Sequence, residues 1–449
     1  MHPPAANKAS PVLEGAAYKA VFSKIDWRLI PLLLIAYMVA YLDRINIGYA
    51  QLQMKQTLPF DDAVYGLGAG IFFVGYFLFE VPSNLLLEKI GARKTLLRIM
   101  VLWGLAACAM MFVSTPLQFY VVRFLLGAFE AGFFPGVILY FTYWYPSVRR
   151  GQVIAIFMSA TTIVSVIAGP LCGFILKYFD GFAGLHGWQW LFLVQGLPAV
   201  VLGFLVYFLL EDKPDHAAWL SNEEKALVDD AFQHDVKDVV SEPAGTFGQM
   251  LRDPKVYALS LVYFLLLGAT YTMVFWTPTL IQSWRVKDLF LIGIYAAIPN
   301  AAGVIGMILI GRHSDKWHER RWHFAVCVAI AAVGLLITTL LQGNLVGSIL
   351  ALSFAVIGIA SATPLFFALT SEYLSAGAVA GGLALISSLG NLGPALSPSI
   401  NGFILRSTGD NIYSMYFVMA LYLLSGMLLL LTIRPAPAAA GAPVAVPAH

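Results

Sequence analysis

The sequence predicts an all-α membrane protein of twelve transmembrane helices, arranged as two pseudo-symmetric six-helix bundles. Three observations predict it. Of 449 residues, 59% are hydrophobic and 12% charged, where soluble domains carry roughly 25% charged residues. The apolar residues fall in blocks of about 20, the length that crosses ~30 Å of hydrocarbon at 1.5 Å per residue. A long polar stretch, 212–252, separates six such blocks from six more. In hydrocarbon a helix satisfies its own backbone hydrogen bonds, so each block reads as a helix.

The blocks lie near 27–50, 63–88, 95–114, 117–143, 151–178, 189–211, 255–283, 289–311, 323–342, 346–370, 377–405 and 411–433. They divide the chain into an N-terminal segment (1–26), a first bundle (27–211), a linker (212–252), a second bundle (253–434) and a Pro/Ala-rich tail (435–449) that reads as disordered. No cleavable signal precedes the first span, so that span is expected to be retained. Internal prolines such as Pro82, Pro170, Pro299 and Pro364 suit kinked membrane helices. In the linker, Ser221 followed three residues later by Glu224 has the spacing of a capping box. A capped amphipathic helix is expected there, and a plain tether over most of the segment.

The 27 Lys and Arg crowd into alternate loops. With the N-terminus inside, Lys55, Lys177, Arg285, Lys287 and Arg406 face outward, Arg44 and Arg123 fall within spans, and the rest lie inside. The positive-inside rule then puts both termini in the cytoplasm of a bacterial-type inner membrane. Cys108, Cys172 and Cys327 each sit in an apolar block and form no C-x-x-C pair, so they read as small buried residues rather than as a disulfide or metal framework. No nucleophile–base pair, metal-ligand spacing or phosphate loop is present. The chain is therefore expected to be no enzyme and no ATP-driven pump, with no metal, cofactor or nucleic-acid partner.

One pattern occurs once in each bundle, at the same place. Between spans 2 and 3 it is Asn84…Glu88-Lys89-Ile-Gly91-Ala-Arg93-Lys94, and between spans 8 and 9 Gly311…Asp315-Lys316…Arg320-Arg321. Gly91 can supply a tight turn at positive φ. The acid and the basic pair can lock helix ends and part when the bundles rock. Two copies in register resemble the signature loop of the major facilitator superfamily, whose two six-helix halves the duplication matches.

A charge at mid-bilayer costs at least ~2.5–3.5 kcal/mol and is a functional candidate for that reason. Asp43, Arg44, Glu80, Arg123 and Glu130 qualify, all in the first bundle. Arginine keeps its proton, so Arg44 and Arg123 suit an anion, which a guanidinium can hold with two parallel bonds. Asp43 and Glu130 can titrate. Glu80 reads as a gating or structural residue.

The stretches AYLDRINIGYA around Asp43, GYFLFEVPSN around Glu80 and RFLLGAFEAGFFPG from Arg123 resemble the anion:cation symporter family, carriers of tartrate, phthalate, hydroxyphenylacetate, hexuronates and other organic anions. The resemblance implies that Asp43 and Glu130 are proton-coupling acids, and that Arg44 binds substrate with Tyr76, Arg123 and Asn391. Thr161 stands where sugar-acid carriers of the family place a glutamine. With Tyr271 and Phe367 among the rings around the expected cavity, this favours a flatter anion that can stack. The expectation is a monomeric proton symporter importing an aromatic or dicarboxylic acid. A sugar-acid symporter and an exporter of metabolites or drugs are the alternatives.

Overall fold

A computed structural model describes residues 15–239, 251–317, 319–374 and 379–433. Span 1 is α1 (Ala16–Ile45) and α2 (Ile47–Thr57); α3 (Asp62–Ile90) is span 2, α4 (Ala92–Ala109) span 3, and α5 (Pro116–Glu130) with α6 (Phe133–Trp144) span 4. Spans 5 and 6 are α7 (Ser147–Tyr178) and α8 (Gly187–Leu209), and α9 (Asn222–Val239) belongs to the linker. Spans 7 to 10 are α10 (Pro254–Ser283), α11 (Leu289–Trp317), α12 (Arg321–Leu340) and α13 (Leu345–Tyr373). Span 11 is shared by α14 (Val379–Gly390) and α15 (Gly393–Thr408), and α16 (Asn411–Thr432) is span 12. Eleven stretches among the described residues are long and apolar enough to cross a membrane; span 11 is divided between two shorter helices.

Three spans expected to be continuous are broken. Span 4 stops at Glu130, and Gly132 adopts the left-handed conformation (φ 87°) before α6 begins. A β-carbon there would meet the Ser83 hydroxyl at 2.5 Å, so the break is packed against α3. Span 1 is interrupted at Asn46 and span 11 at Asn391–Leu392. Span 1 also begins earlier than its apolar block does: α1 starts at Ala16 and buries Tyr18, Val21, Phe22 and Ile25, whereas Trp27 is 80% exposed.

The linker corrects the expectation of a plain tether. The capping box forms: the Ser221 hydroxyl accepts from the Glu224 amide (3.1 Å), and the Glu224 carboxylate accepts from the Ser221 amide (2.8 Å). Glu224 also pairs with Lys24 at 2.9 Å. Trp219 stacks on Trp144 with ring centres 5.7 Å apart, and the guanidinium of Arg28 lies 5.2 Å from the Trp219 ring. Leu220, Val228 and Ala231 are buried. Residues 214–233 are thus a fitted part of the first bundle. The tail beyond residue 433 lies outside the described residues.

The halves meet along two seams. α7 packs on α11, and α3 packs on α15, with α2 touching α10 beside them. Spans 5 and 8 make one seam and spans 2 and 11 the other; adding six to each span number exchanges them, as a pseudo-twofold requires. Glycines let the backbones close. A β-carbon on Gly293 would sit 2.0 Å from the Gly169 carbonyl oxygen, and one on Gly66 would sit 2.5 Å from that of Pro398. The hydrogen bonds and ion pairs across the seams, Arg406–Asp61 (3.2 Å), Lys177–Asp288 and Gln51 to the Phe275 carbonyl (2.8 Å) among them, lie toward the face opposite α9. Among the described residues no such bond joins the halves at the face that carries α9. Among the described residues the halves are bonded toward one face and not at the other.

Two outcomes follow from this packing. Gly293→Val should pry the α7–α11 seam apart, so that a cysteine placed at Lys177 gains reactivity toward a membrane-impermeant maleimide; unchanged reactivity would mean that the seam does not need the glycine. The Lys24 ammonium and the Ser221 amide hold the Glu224 carboxyl below its usual range. Its contribution to docking α9 is therefore complete above the unfolded value of about 4.3 and is lost as pH falls through the lower folded value. Hydrogen exchange at 222–231 should speed up in that acid window, and at neutral pH in Glu224→Gln.

Candidate functional site

The broken spans 1 and 4 bring four charges together. Asp43 and Arg44 lie one turn before the Asn46 interruption, and Glu130 is the last residue of α5. Asp43, Arg123 and Glu130 are each 1% exposed, and the Arg44 side chain is 13% exposed. Arg44 donates through Nε (3.2 Å) and Nη2 to the same Glu130 oxygen, Oε1. Its Nη1 donates to the Tyr271 hydroxyl at 3.3 Å. One guanidinium thereby joins span 1, span 4 and, across the interface, span 7.

Rings surround it. Arg44 lies 5.6 Å from the centre of Phe72 and 5.1 Å from that of Tyr76, and Arg123 lies 4.8 Å from Phe72, so two cations share one ring. Such contacts are worth about 0.5–2 kcal/mol each, more when water is excluded. Arg123 donates Nε to the Gly68 carbonyl at 3.1 Å. Several polar atoms stay unanswered: Asp43 Oδ2, Glu130 Oε2, Arg123 Nη2, Asn46 Oδ1 and the Trp103 indole nitrogen are buried without a hydrogen-bond partner. Buried polar groups in folded proteins are overwhelmingly paired, so this concentration within one bundle sets the site apart.

Other residues singled out in the sequence lie elsewhere. The Thr161 hydroxyl bonds back to the Met158 carbonyl (2.9 Å) on its own helix. Phe367 meets Tyr263 edge-on, ring centres 4.9 Å apart. Asn391 sits half-buried in the interruption of span 11. Among the described residues no hydrogen bond or ring contact joins these three to the Arg44 cluster. The Phe366 ring is fully buried and stacks on Tyr263. Sequence reasoning missed Asn46 and Gln195. Asn46 donates to Asp43 Oδ1 (3.0 Å) and to Gln195 Oε1 (2.7 Å); the readable signal was an amide inside an otherwise apolar sixth span.

The repeated loops act within their own halves. Gly91 turns at φ 89°, where a β-carbon would strike the Asp212 carboxylate. Arg93 bonds the Tyr207 carbonyl at the end of span 6 (2.7 Å) and Glu211 (2.8 Å). In the second half Arg321 bonds the Leu430 carbonyl at the end of span 12 (2.7 Å), and Arg320 pairs with Asp315 (3.3 Å) and Glu372 (2.9 Å). Each loop so straps its neighbour to the last span of its bundle, where a cation answers unpaired helix-end carbonyls. Glu88, Lys89, Lys94 and Lys316 are exposed, and Gly311 has open space around it. The Asn84 amide bonds the Glu80 carbonyl (3.0 Å), and one Glu80 carboxylate oxygen is buried without a partner.

Comparison with known proteins agrees with the fold. The sequence model of the Major Facilitator Superfamily matches residues 33–398. The chain belongs to that superfamily. Across 394 residues it is 46% identical to the metabolite transport protein NicT of Pseudomonas putida, covering 88% of this chain and 90% of that one. It is 42% identical to a protein of Agrobacterium vitis named for tartrate transport (93% and 95% covered), and 39% identical to a quinolone resistance transporter of Acinetobacter baumannii (92% and 94%). Among solved structures, a bacterial homologue of the lysosomal transporter Spinster superposes with a TM-score of 0.74 at 17% identity, over 94% of this chain and all of that one, a likeness of fold. This superfamily member is thus a multi-pass membrane transporter and no enzyme.

Removing one side of the Arg44 pair should be costly. Glu130→Ala leaves a desolvated cation, with an expected loss of roughly 2–4 kcal/mol, below the ~3–5 kcal/mol of a fully buried pair because Arg44 keeps some exposure. Thermal unfolding of purified protein should show it, and Arg44→Met in the same chain should recover part of the loss. Equal melting of Glu130→Ala and the parent would show that the pair contributes nothing.

Proposed function

We propose that this transporter couples proton movement to the passage of a small organic anion, by alternating access of one site between its two bundles. The observation that carries the reading is Arg44, a permanent cation at the centre of the molecule whose partner is a titratable carboxylate, Glu130. A substrate carboxylate and an ionised Glu130 compete for the same guanidinium fork. Protonation of Glu130 releases Arg44 to the anion, and departure of the anion favours loss of the proton. Arginine, which does not deprotonate, is the cation for which such an exchange works. Asp43, with an unanswered buried oxygen, is the second proton carrier.

Tyr271 lets the second bundle sense which carboxylate holds Arg44, because its hydroxyl meets that guanidinium across the interface. Arg123 supports the local positive potential from behind Phe72. Tyr76 flanks the fork and favours a flat anion, so an aromatic or dicarboxylic acid is the proposed cargo, with Thr161, Phe367 and Asn391 meeting it when the bundles rock. The signature loops, including Glu80, Asn84, Glu88, Lys89 and Lys94, act as the gate at the face carrying α9. The excess of Lys and Arg in alternate loops supports a cytoplasmic location for that face in a bacterial inner membrane, and import is the proposed direction. The quinolone resistance relative favours a second reading, export through the same site.

Reconstituted protein decides between them. Radiolabelled tartrate, phthalate and hydroxyphenylacetate are offered to proteoliposomes with an imposed pH gradient. Uptake of at least one should rise when protons run inward, by about ten-fold per coupled proton for a gradient of one unit, worth ~1.4 kcal/mol each. Arg44→Lys should abolish it, since an ammonium lacks the planar fork. Glu130→Gln should keep counterflow and lose pH-driven accumulation. Uptake indifferent to the gradient rejects the coupling, and efflux driven by inward protons supports the export reading.

A further inference from the structure

Behind Asp43 the first bundle holds a line of four buried groups. Asn46, at the interruption of span 1, uses both amide hydrogens, one on Asp43 Oδ1 (3.0 Å) and one on Gln195 Oε1 of α8 (2.7 Å). Gln195 in turn donates Nε2 to the Cys172 sulfur of α7 at 3.5 Å. All four residues are 3% exposed or less. Cys172 lies on the helix whose Gly169 and Gly173 press against α11, a β-carbon on Gly173 coming within 2.5 Å of the Leu289 carbonyl oxygen. The line therefore runs from the acid to the seam between the halves.

Every member can exchange roles. In the observed polarity Asn46 donates to Asp43 and to Gln195, and Gln195 donates to Cys172, so Asp43 only accepts, which suits an ionised carboxylate. A protonated Asp43 becomes a donor, and Asn46 Oδ1 is a buried acceptor with no donor. Turning the Asn46 and Gln195 amides over lets Asp43 donate to Asn46 Oδ1, Gln195 Nε2 donate to that same oxygen, and the Cys172 thiol donate to Gln195 Oε1. A carboxamide donates through its nitrogen and accepts through its oxygen, and a thiol does both, so the reversed line keeps each of the three links while the Asn46 nitrogen moves to the position where its oxygen had no partner.

We propose that Asp43, Asn46, Gln195 and Cys172 form a reversible hydrogen-bond chain that positions Asp43 as a proton carrier and passes its protonation state to the α7–α11 seam. This rests on the proton-coupled reading above. Asn46 and Gln195 are positioning residues, acting through Asp43. The acid is also faced by Arg123 and Glu130 from α5 and by Trp103 and Cys108 from α4, which set its surroundings in every variant alike.

Infrared titration of the reconstituted full chain tests it, with the Asp43 carboxyl band defined as the one lost in Asp43→Asn. Gln195→Met and Asn46→Ala remove a donor or its anchor from the charged form, so the midpoint of that band should move to higher pH by about one unit, a ten-fold change. Cys172→Ser, which keeps a group able to donate and accept, should titrate as the parent does, and Cys172→Ala should not. In an Asp43→Asn background Gln195→Met should add nothing to the pH profile of tartrate counterflow. An unmoved band in Gln195→Met, Asn46→Ala and Cys172→Ala overturns the chain while leaving pH-driven uptake intact. Uptake indifferent to pH in the parent overturns the underlying reading and the chain with it. Should Gln195→Met fail to fold, the Cys172→Ser and Cys172→Ala pair decides alone, equal midpoints overturning the proposal.

Discussion

The Arg44 guanidinium, held between Glu130 and Tyr271, is the contact around which the rest is organised. Hydrocarbon offers no water to a charge, so a cation at this depth needs an anion, hydroxyls and rings brought to it by the protein. Meeting that demand recruits the end of α5, the face of α3 through Phe72 and Tyr76, and one hydroxyl from the opposite bundle. The interruption of span 4 at Glu130 belongs to the same solution. The helix stops where its carboxylate must turn toward Arg44, and Gly132 accepts the left-handed backbone that lets the chain resume.

Much of the fold was legible because a bilayer constrains a sequence so tightly. Block length, inward cations and the duplicated loop each follow from a physical demand, and the twelve spans appear in order. The interruptions were not legible. Asn46 and Gly132 look ordinary in an apolar block, and their meaning comes from Gln195 and Ser83 on other helices. The early start of α1 was hidden for a related reason: its first turns are amphipathic because they rest on α9, a partner nearly two hundred residues away. At the site, the four membrane charges could be read from their cost alone. Which of them meet could not, since Arg44 and Glu130 are joined by three-dimensional packing and not by spacing.

The two signature loops show how a duplication can be kept and varied. Arg93 and Arg321 close on the last span of their own bundle through the same kind of bond, an arginine on terminal carbonyls. The acids around them differ, Glu211 and Asp212 on one side and Asp315 with Glu372 on the other. A strap of this kind ties each bundle into a unit, and glycines line the seams where the two units meet.

Among the described residues the fully buried charged side chains, Asp43, Arg123 and Glu130, sit in the first half, whereas the second half brings the Tyr271 hydroxyl to the same centre. Under the proposed coupling, a chimera that keeps spans 1 to 6 of this chain and takes spans 7 to 12 from another member would be expected to keep this parent's driving force, provided the incoming half supplies a hydroxyl where Tyr271 meets Arg44.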